Sequence, residues 1–132
     1  MKPRLVIVAA DFHKKISEEM IRCAKKAAQK RGMEVIDVVK VSGVFDIHLP
    51  LQRALARNDV DCAIVLGSVV QGETSHDEII AYTTAQKVAE LSLKYDKPVG
   101  YGISGPRMTV AQARQRAKQF AEKSVETVSR ML

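Results

Sequence analysis

Hydrophobic positions along this chain switch repeatedly between two rhythms: short continuous apolar runs, and a longer spacing of three or four residues. Leu5 to Ala10 is a continuous apolar run and predicts a strand. Ile16, Met20, Cys23, Ala24 and Ala27 then recur at helical spacing up to a stop at Gly32. Residues 34–41 are rich in β-branched side chains and predict a second strand. The chain turns around Gly43, and residues 47–57 predict a short helix with Leu51 and Leu55 on one side and Pro50 confined to its first turn. Residues 61–70 predict a third strand, 75–95 a helix, 98–103 a fourth strand, and 109–131 a terminal helix with Thr109 as its N-cap.

Each strand is separated from the next by a helix, which is the pattern of a parallel sheet between two helical layers. The expected fold class is therefore α/β: a three-layer α/β/α arrangement with a four-stranded parallel, flavodoxin-like sheet, one domain over residues 1–132. Ligands of such sheets bind beyond the strand C-termini. Four segments with chemistry to offer fall there: Asp11 to His13, Gly43 to Asp46, Gly72 to His76, and Ser104 to Arg107.

Composition narrows the class of protein. Apolar residues make up 46% of the chain, yet no apolar run approaches the ~18 residues of a membrane span, so no membrane partner is expected. The run after Met1-Lys2-Pro3-Arg4 is too short for a signal-peptide core and cleavage site. Cys23 and Cys62 are too few and too far apart for a disulfide framework or a metal motif, so buried thiols in a reducing cytoplasm are expected. The net charge of +6 raises an anionic partner, but Lys14, Lys15, Arg22, Lys25, Lys26, Lys30 and Arg31 read as the solvated face of one helix. With three Phe, three Tyr and no Trp there is no base-stacking platform, and no nucleic acid is expected as a partner.

The most informative stretch is Leu66 to Glu78, LGSVVQGETSHDE, which joins a buried strand pattern to a helix start through glycines, hydroxyls and a histidine. Ser75 and Glu78 have the spacing of a capping box, which would pin the turn. The amides of Gly72, Glu73 and Thr74 would then lie near a helix N-terminus, where unpaired N–H groups and the positive end of the dipole favour an anion such as phosphate. His76 falls at the same place.

Four blocks carry a family resemblance: Ala10-Asp11-Phe12-His13, Gly43-Val44-Phe45-Asp46-Ile47, the run from Leu66 to His76, and Val99-Gly100-Tyr101-Gly102-Ile103. In order and spacing they resemble the 6,7-dimethyl-8-ribityllumazine synthases, in their shorter archaeal form, over nearly the whole chain. The resemblance implies an enzyme that condenses 5-amino-6-(D-ribitylamino)uracil with 3,4-dihydroxy-2-butanone 4-phosphate, giving the lumazine, inorganic phosphate and water. It also implies no metal and no organic cofactor, and a homo-oligomer, either a pentamer or an assembly of pentamers, with active sites at subunit interfaces.

Carried over residue by residue, the resemblance places Phe12 against the pyrimidine ring, although core packing is the plainer reading of a lone Phe. It assigns Val44, Phe45 and Asp46 to the ribityl chain and the uracil edge, with an N-cap role for Asp46 as the competing explanation. Ser68, Val69 and Val70 would line the uracil pocket, and Glu73 (through its amide) and Thr74 would bind phosphate. Arg116 matches a phosphate-binding arginine whose guanidinium fork suits that anion. Arg114 is the fallback, about 200° away around the helix, so only one of the two can face a given site. His76 matches the proton-transfer residue, a role suited to imidazole near neutral pH. Tyr101 lies on the strand that closes the pocket of an adjacent subunit, and Lys123, with Lys118 as rival, matches an assisting lysine.

The chain departs from common members at Ser42, His48, Gln71 and His13. Two other readings stand beside the resemblance. A related riboflavin synthase of archaeal type would dismutate two lumazines, but it has no phosphate to bind in the Gly-Glu-Thr-Ser-His turn. A flavodoxin-like signalling module would want acidic residues after the first and third strands, where the third leads here into Ser68 to Gln71.

Overall fold

The computed structural model describes residues 2–72 and 76–132. Four strands, β1 (Arg4–Ala10), β2 (Glu34–Val41), β3 (Cys62–Ser68) and β4 (Val99–Ser104), form one parallel sheet in the order β2-β1-β3-β4. They alternate with α1 (Lys14–Lys30), α2 (His48–Leu55), α3 (His76–Tyr95) and α4 (Val110–Met131). The fold is the predicted three-layer α/β/α arrangement.

Alternation along β1 explains the layers. Leu5, Ile7 and Ala9 point into a core with Met20 and Ala24 of α1 and Ala117 and Val125 of α4. Val6, Val8 and Ala10 point the other way, toward Leu51 and Leu55 of α2 and Val88 of α3. Both central strands are buried on both faces, which is why they read as unbroken apolar runs rather than as alternation. The chain steps from β1 to β2 in one direction and from β2 through β3 to β4 in the other, so right-handed crossovers put α1 on one face and α2 and α3 on the opposite face.

That reversal opens a crevice between the C-terminal ends of β1 and β3, the usual place for a ligand in such a sheet. On the α4 face, β4 is stripped to Gly100 and Gly102. A Cβ at Gly100 would overlap the Ser124 carbonyl, so the glycine lets α4 lie directly on the strand.

Local signals explain most boundaries. Thr109 caps α4 as predicted: its Oγ1 accepts the Gln112 N–H at 3.2 Å, and Gln112 Oε1 accepts the Thr109 N–H at 3.0 Å. Pro50 is the third residue of α2, where a missing N–H costs nothing. The lysines and arginines assigned to a solvated face of α1 are all exposed.

Two predictions need correction. The third strand ends at Ser68, not at residue 70, because Val69 and Gln71 turn aside and donate their N–H groups to the carbonyls of Ser104 and Met108, both at 2.8 Å. The segment before α2 is a separate 3₁₀ turn, Val44–Asp46. Asp46 is the last residue of that turn and accepts the Gly43 N–H at 3.1 Å, so it does not cap α2, whose N-cap position is Ile47. The predicted Ser75 partner of the capping box lies outside the described residues.

Candidate active site

A cleft of about 400 Å³ opens at the C-terminal edge of the sheet, where the chain reverses. Phe12 and His13 enter it from the loop after β1, and Gly43 and Val44 from the turn after β2. Ser68, Val69, Val70 and Gly72 come from the end of β3 and the segment beyond it. His76, Asp77 and Ile80 come from the start of α3. Three segments far apart in sequence are thus brought to one place because parallel strands all end on the same edge.

Phe12 overturns the plainer core reading: it is 78% exposed and stands edge-on to His13, with ring centroids 5.0 Å apart. An aromatic ring held out at a strand end, above valines, suits a flat apolar ligand better than it suits the fold. Val44 and Val69 are buried walls, and Ser68 adds a hydroxyl that accepts a hydrogen bond from Ser104 Oγ at 3.3 Å. His76 is exposed and occupies the first position of α3.

Sequence reasoning missed Asp77. It is 5% exposed, and its Oδ2 accepts the backbone N–H of Arg107 at 2.9 Å. The next residue, Glu78, forms an ion pair with the Arg107 guanidinium, which holds the arginine above its ordinary pKa. Together with the Val69–Ser104 and Gln71–Met108 backbone bonds, these contacts bind Val69, Gln71 and the first turn of α3 to the end of β4 and the loop beyond it. Gly105 makes the close approach possible: its φ is +104°, and a Cβ there would strike the Val69 carbonyl. No sequence signal separates Asp77 from an ordinary acidic residue in a first helical turn.

Other predicted site residues are not in this cleft. Phe45 is half exposed and packs edge-on to His48, with centroids 5.7 Å apart, and it does not line the cleft. Asp46 is engaged with Gly43. Tyr101 stands on the edge strand β4, partly exposed, with its hydroxyl donating to the Ala81 carbonyl at 3.4 Å; burial pushes its pKa up to about 12. Arg114, Arg116, Lys118 and Lys123 are all exposed on α4, and none lines the cleft. Glu73 and Thr74 lie outside the described residues. Among the described residues, no group of three or more His, Cys, Asp and Glu side chains is placed to hold a metal ion.

The fold and the cleft define a class: a doubly wound α/β protein that offers a small-molecule site at its topological switch point, with an exposed ring, a hydroxyl and an imidazole. Within that class the sequence is specific. The sequence model of the 6,7-dimethyl-8-ribityllumazine synthase family matches residues 2–132. Among curated relatives, the 6,7-dimethyl-8-ribityllumazine synthase of Methanococcus aeolicus is 43% identical over 98% of this chain and 94% of its own. That of Methanocaldococcus jannaschii is 41% identical over 97% of this chain and 90% of its own. The chain belongs to the 6,7-dimethyl-8-ribityllumazine synthase family.

Proposed function

We propose that this protein is a transferase of riboflavin biosynthesis, joining 5-amino-6-(D-ribitylamino)uracil to 3,4-dihydroxy-2-butanone 4-phosphate to give 6,7-dimethyl-8-ribityllumazine, phosphate and water. The observation that carries this reading is the cleft itself, in which Phe12, Ser68, Val69, Val70 and His76 converge at the switch point of a chain of this family.

The pyrimidine stacks on Phe12 between the valine walls, with its polar edge toward Ser68. Glu73, through its main-chain amide, and Thr74, through its hydroxyl, bind the butanone phosphate. The aryl amine attacks the ketone and the carbinolamine loses water to an imine. Phosphate is then eliminated, the resulting enol tautomerises to a second carbonyl, and the ribitylamino nitrogen closes the ring on that carbonyl with loss of a second water. Each step moves a proton between nitrogen, carbon and oxygen, and His76 at the cleft is the group suited to carry it. The sequence of steps asks for no redox change, and we assign no metal or organic cofactor to it.

Positioning supplies most of the rate. Holding amine and ketone at near-attack distance is worth about 7–11 kcal/mol, whereas one general acid-base contributes about 10²–10⁴-fold.

Arg116 binds the phosphate and Tyr101 closes the pocket from a neighbouring subunit, in a pentamer or an assembly of pentamers. The separation of these two residues from their own chain's cleft supports that arrangement, as do the exposed Phe45, Leu49, Ile79 and Tyr82 on the turn, α2 and α3. The enzyme works in the cytoplasm, in keeping with two buried free cysteines.

The test is to mix the purified protein with the two substrates and follow lumazine absorbance together with phosphate release. Acceleration of both in equal amounts is the expected result. A lack of acceleration, in an assay where a known synthase works, overturns the assignment.

A further inference from the structure

Sharing Phe12, His13 and Ser68 with the candidate cleft is a second, much smaller space of about 10 Å³, lined also by Ala10, Ser17, Met20 and Gly67. Its polar lining includes two hydroxyls, Ser17 from the first turns of α1 and Ser68 from the end of β3. Ser17 is 4% exposed, and its Oγ is the one buried side-chain oxygen or nitrogen among the described residues that has no hydrogen-bond partner. A serine in a helix ordinarily returns its hydroxyl to the carbonyl one turn back, but the His13 carbonyl here takes only the Ser17 N–H, at 2.9 Å. A buried hydroxyl left unpaired is costly, and about 10 Å³ is the room one water needs.

We infer that a single water occupies this space, bridging Ser17 Oγ and Ser68 Oγ, and that Ser17 is thereby a positioning residue for Ser68. A hydroxyl has two acceptor sites and one proton. One acceptor site of Ser68 takes the Ser104 hydroxyl at 3.3 Å, and the bridging water fills the other. Only the Ser68 O–H then remains to face the cleft, where it meets a hydrogen-bond acceptor. The ligand group this selects is a carbonyl oxygen or an unprotonated ring nitrogen on the flat ring over Phe12, not a donor N–H. The inference deepens the lumazine synthase reading and rests on it for the identity of the ring.

The experiment combines a crystal structure fine enough to show ordered water with a double-mutant cycle of Ser17→Ala and Ser68→Ala. The expected density is one peak within hydrogen-bond distance of both hydroxyls. Ser17→Ala should raise KM for the pyrimidine roughly three- to tenfold, the equivalent of one hydrogen bond, with kcat and KM for the butanone phosphate unchanged. In the Ser68→Ala background the same change should do nothing further, which a merely structural role for Ser17 would not produce. A cavity without density, an unchanged pyrimidine KM in Ser17→Ala, or an equal rise in both backgrounds overturns the proposal. A wild-type protein that neither makes lumazine nor binds the pyrimidine overturns the functional reading and Ser17's part in it, while the density judges the water by itself.

Discussion

The Asp77 carboxylate accepts the Arg107 backbone N–H at 2.9 Å, which fastens the first turn of α3 to the loop between β4 and α4. His76 is the residue next to Asp77, so this bond sets where the imidazole stands over the cleft. Asp77→Ala leaves a part-buried N–H without its acceptor and should cost about 1–3 kcal/mol in urea denaturation. It should also lower kcat, and Asp77→Asn, which keeps an acceptor oxygen, should fall between the two.

Arg107 itself sits at φ +61°, in the left-handed region, where a residue with a Cβ is strained by about 1–2 kcal/mol. Its ion pair with Glu78 is mostly exposed on the arginine side, so solvent screening leaves it little to return. Arg107→Gly should therefore be no less stable than the wild type in urea denaturation, whereas Arg107→Val, β-branched at the same φ, should be clearly less stable.

His76→Ala should slow turnover by about 10²–10⁴-fold without abolishing it, because the larger share of the rate comes from holding the reactants together. Single-turnover kinetics at saturating substrate, set beside an Arg116→Ala, Phe12→Ala double variant, checks the ranking. Equal inactivity of the two would reverse it.

If Arg116 serves a neighbour's cleft, two impaired chains can repair each other. Mixed oligomers of His76→Ala and Arg116→Ala, formed by refolding the two together, should recover activity because some interfaces pair an intact His76 with an intact Arg116. Arg114→Ala should keep a wild-type KM for the butanone phosphate. A mixture with no more activity than its parts would place Arg116 elsewhere.

Alkaline pH should unfold the protein in a definite window. Burial pushes Cys62 up to about 12, and Tyr101 likewise up to about 12. In the unfolded chain these groups lose their protons near ~8.5 and ~10. Between those values and about 12, the folded state holds protons that the unfolded state has released, so stability falls as pH rises through that window and is unaffected below it. Denaturation midpoints at pH 8, 10 and 11 should show the decline. Cys62→Ala should flatten most of it, and Tyr101→Phe a smaller part because its ring is partly in water. Native Cys62 should resist thiol reagents at pH 8 and react on unfolding.

Much of the fold was legible in the sequence. The run Leu5 to Ala10 could be little else but a buried strand, the β-branched stretch from Glu34 to Val41 read as a strand too, and Thr109 announced the start of α4. These signals are local, since burial period and caps are written within a dozen residues. The blocks around Phe12, Val44 and His76 likewise marked the cleft, because parallel strands bring every such loop to one edge.

The tertiary structure decided what depends on contacts between distant segments. Whether Phe12 is core or exposed turns on what packs over it, and the sequence around it is the same in either case. Strand β3 stops at Ser68 because Ser104, the last residue of β4, and Met108 in the loop beyond it take the N–H groups of Val69 and Gln71, partners more than thirty positions away. Asp77 is fastened beside the cleft by Arg107, and Ser17 reaches the small space next to Ser68 because α1 lies against the end of β3. The chain alone determines which elements form, since that is a matter of neighbours in sequence. Which side chains are buried, paired or left facing a ligand is set by neighbours in space, and those exist only once the sheet has closed its two layers.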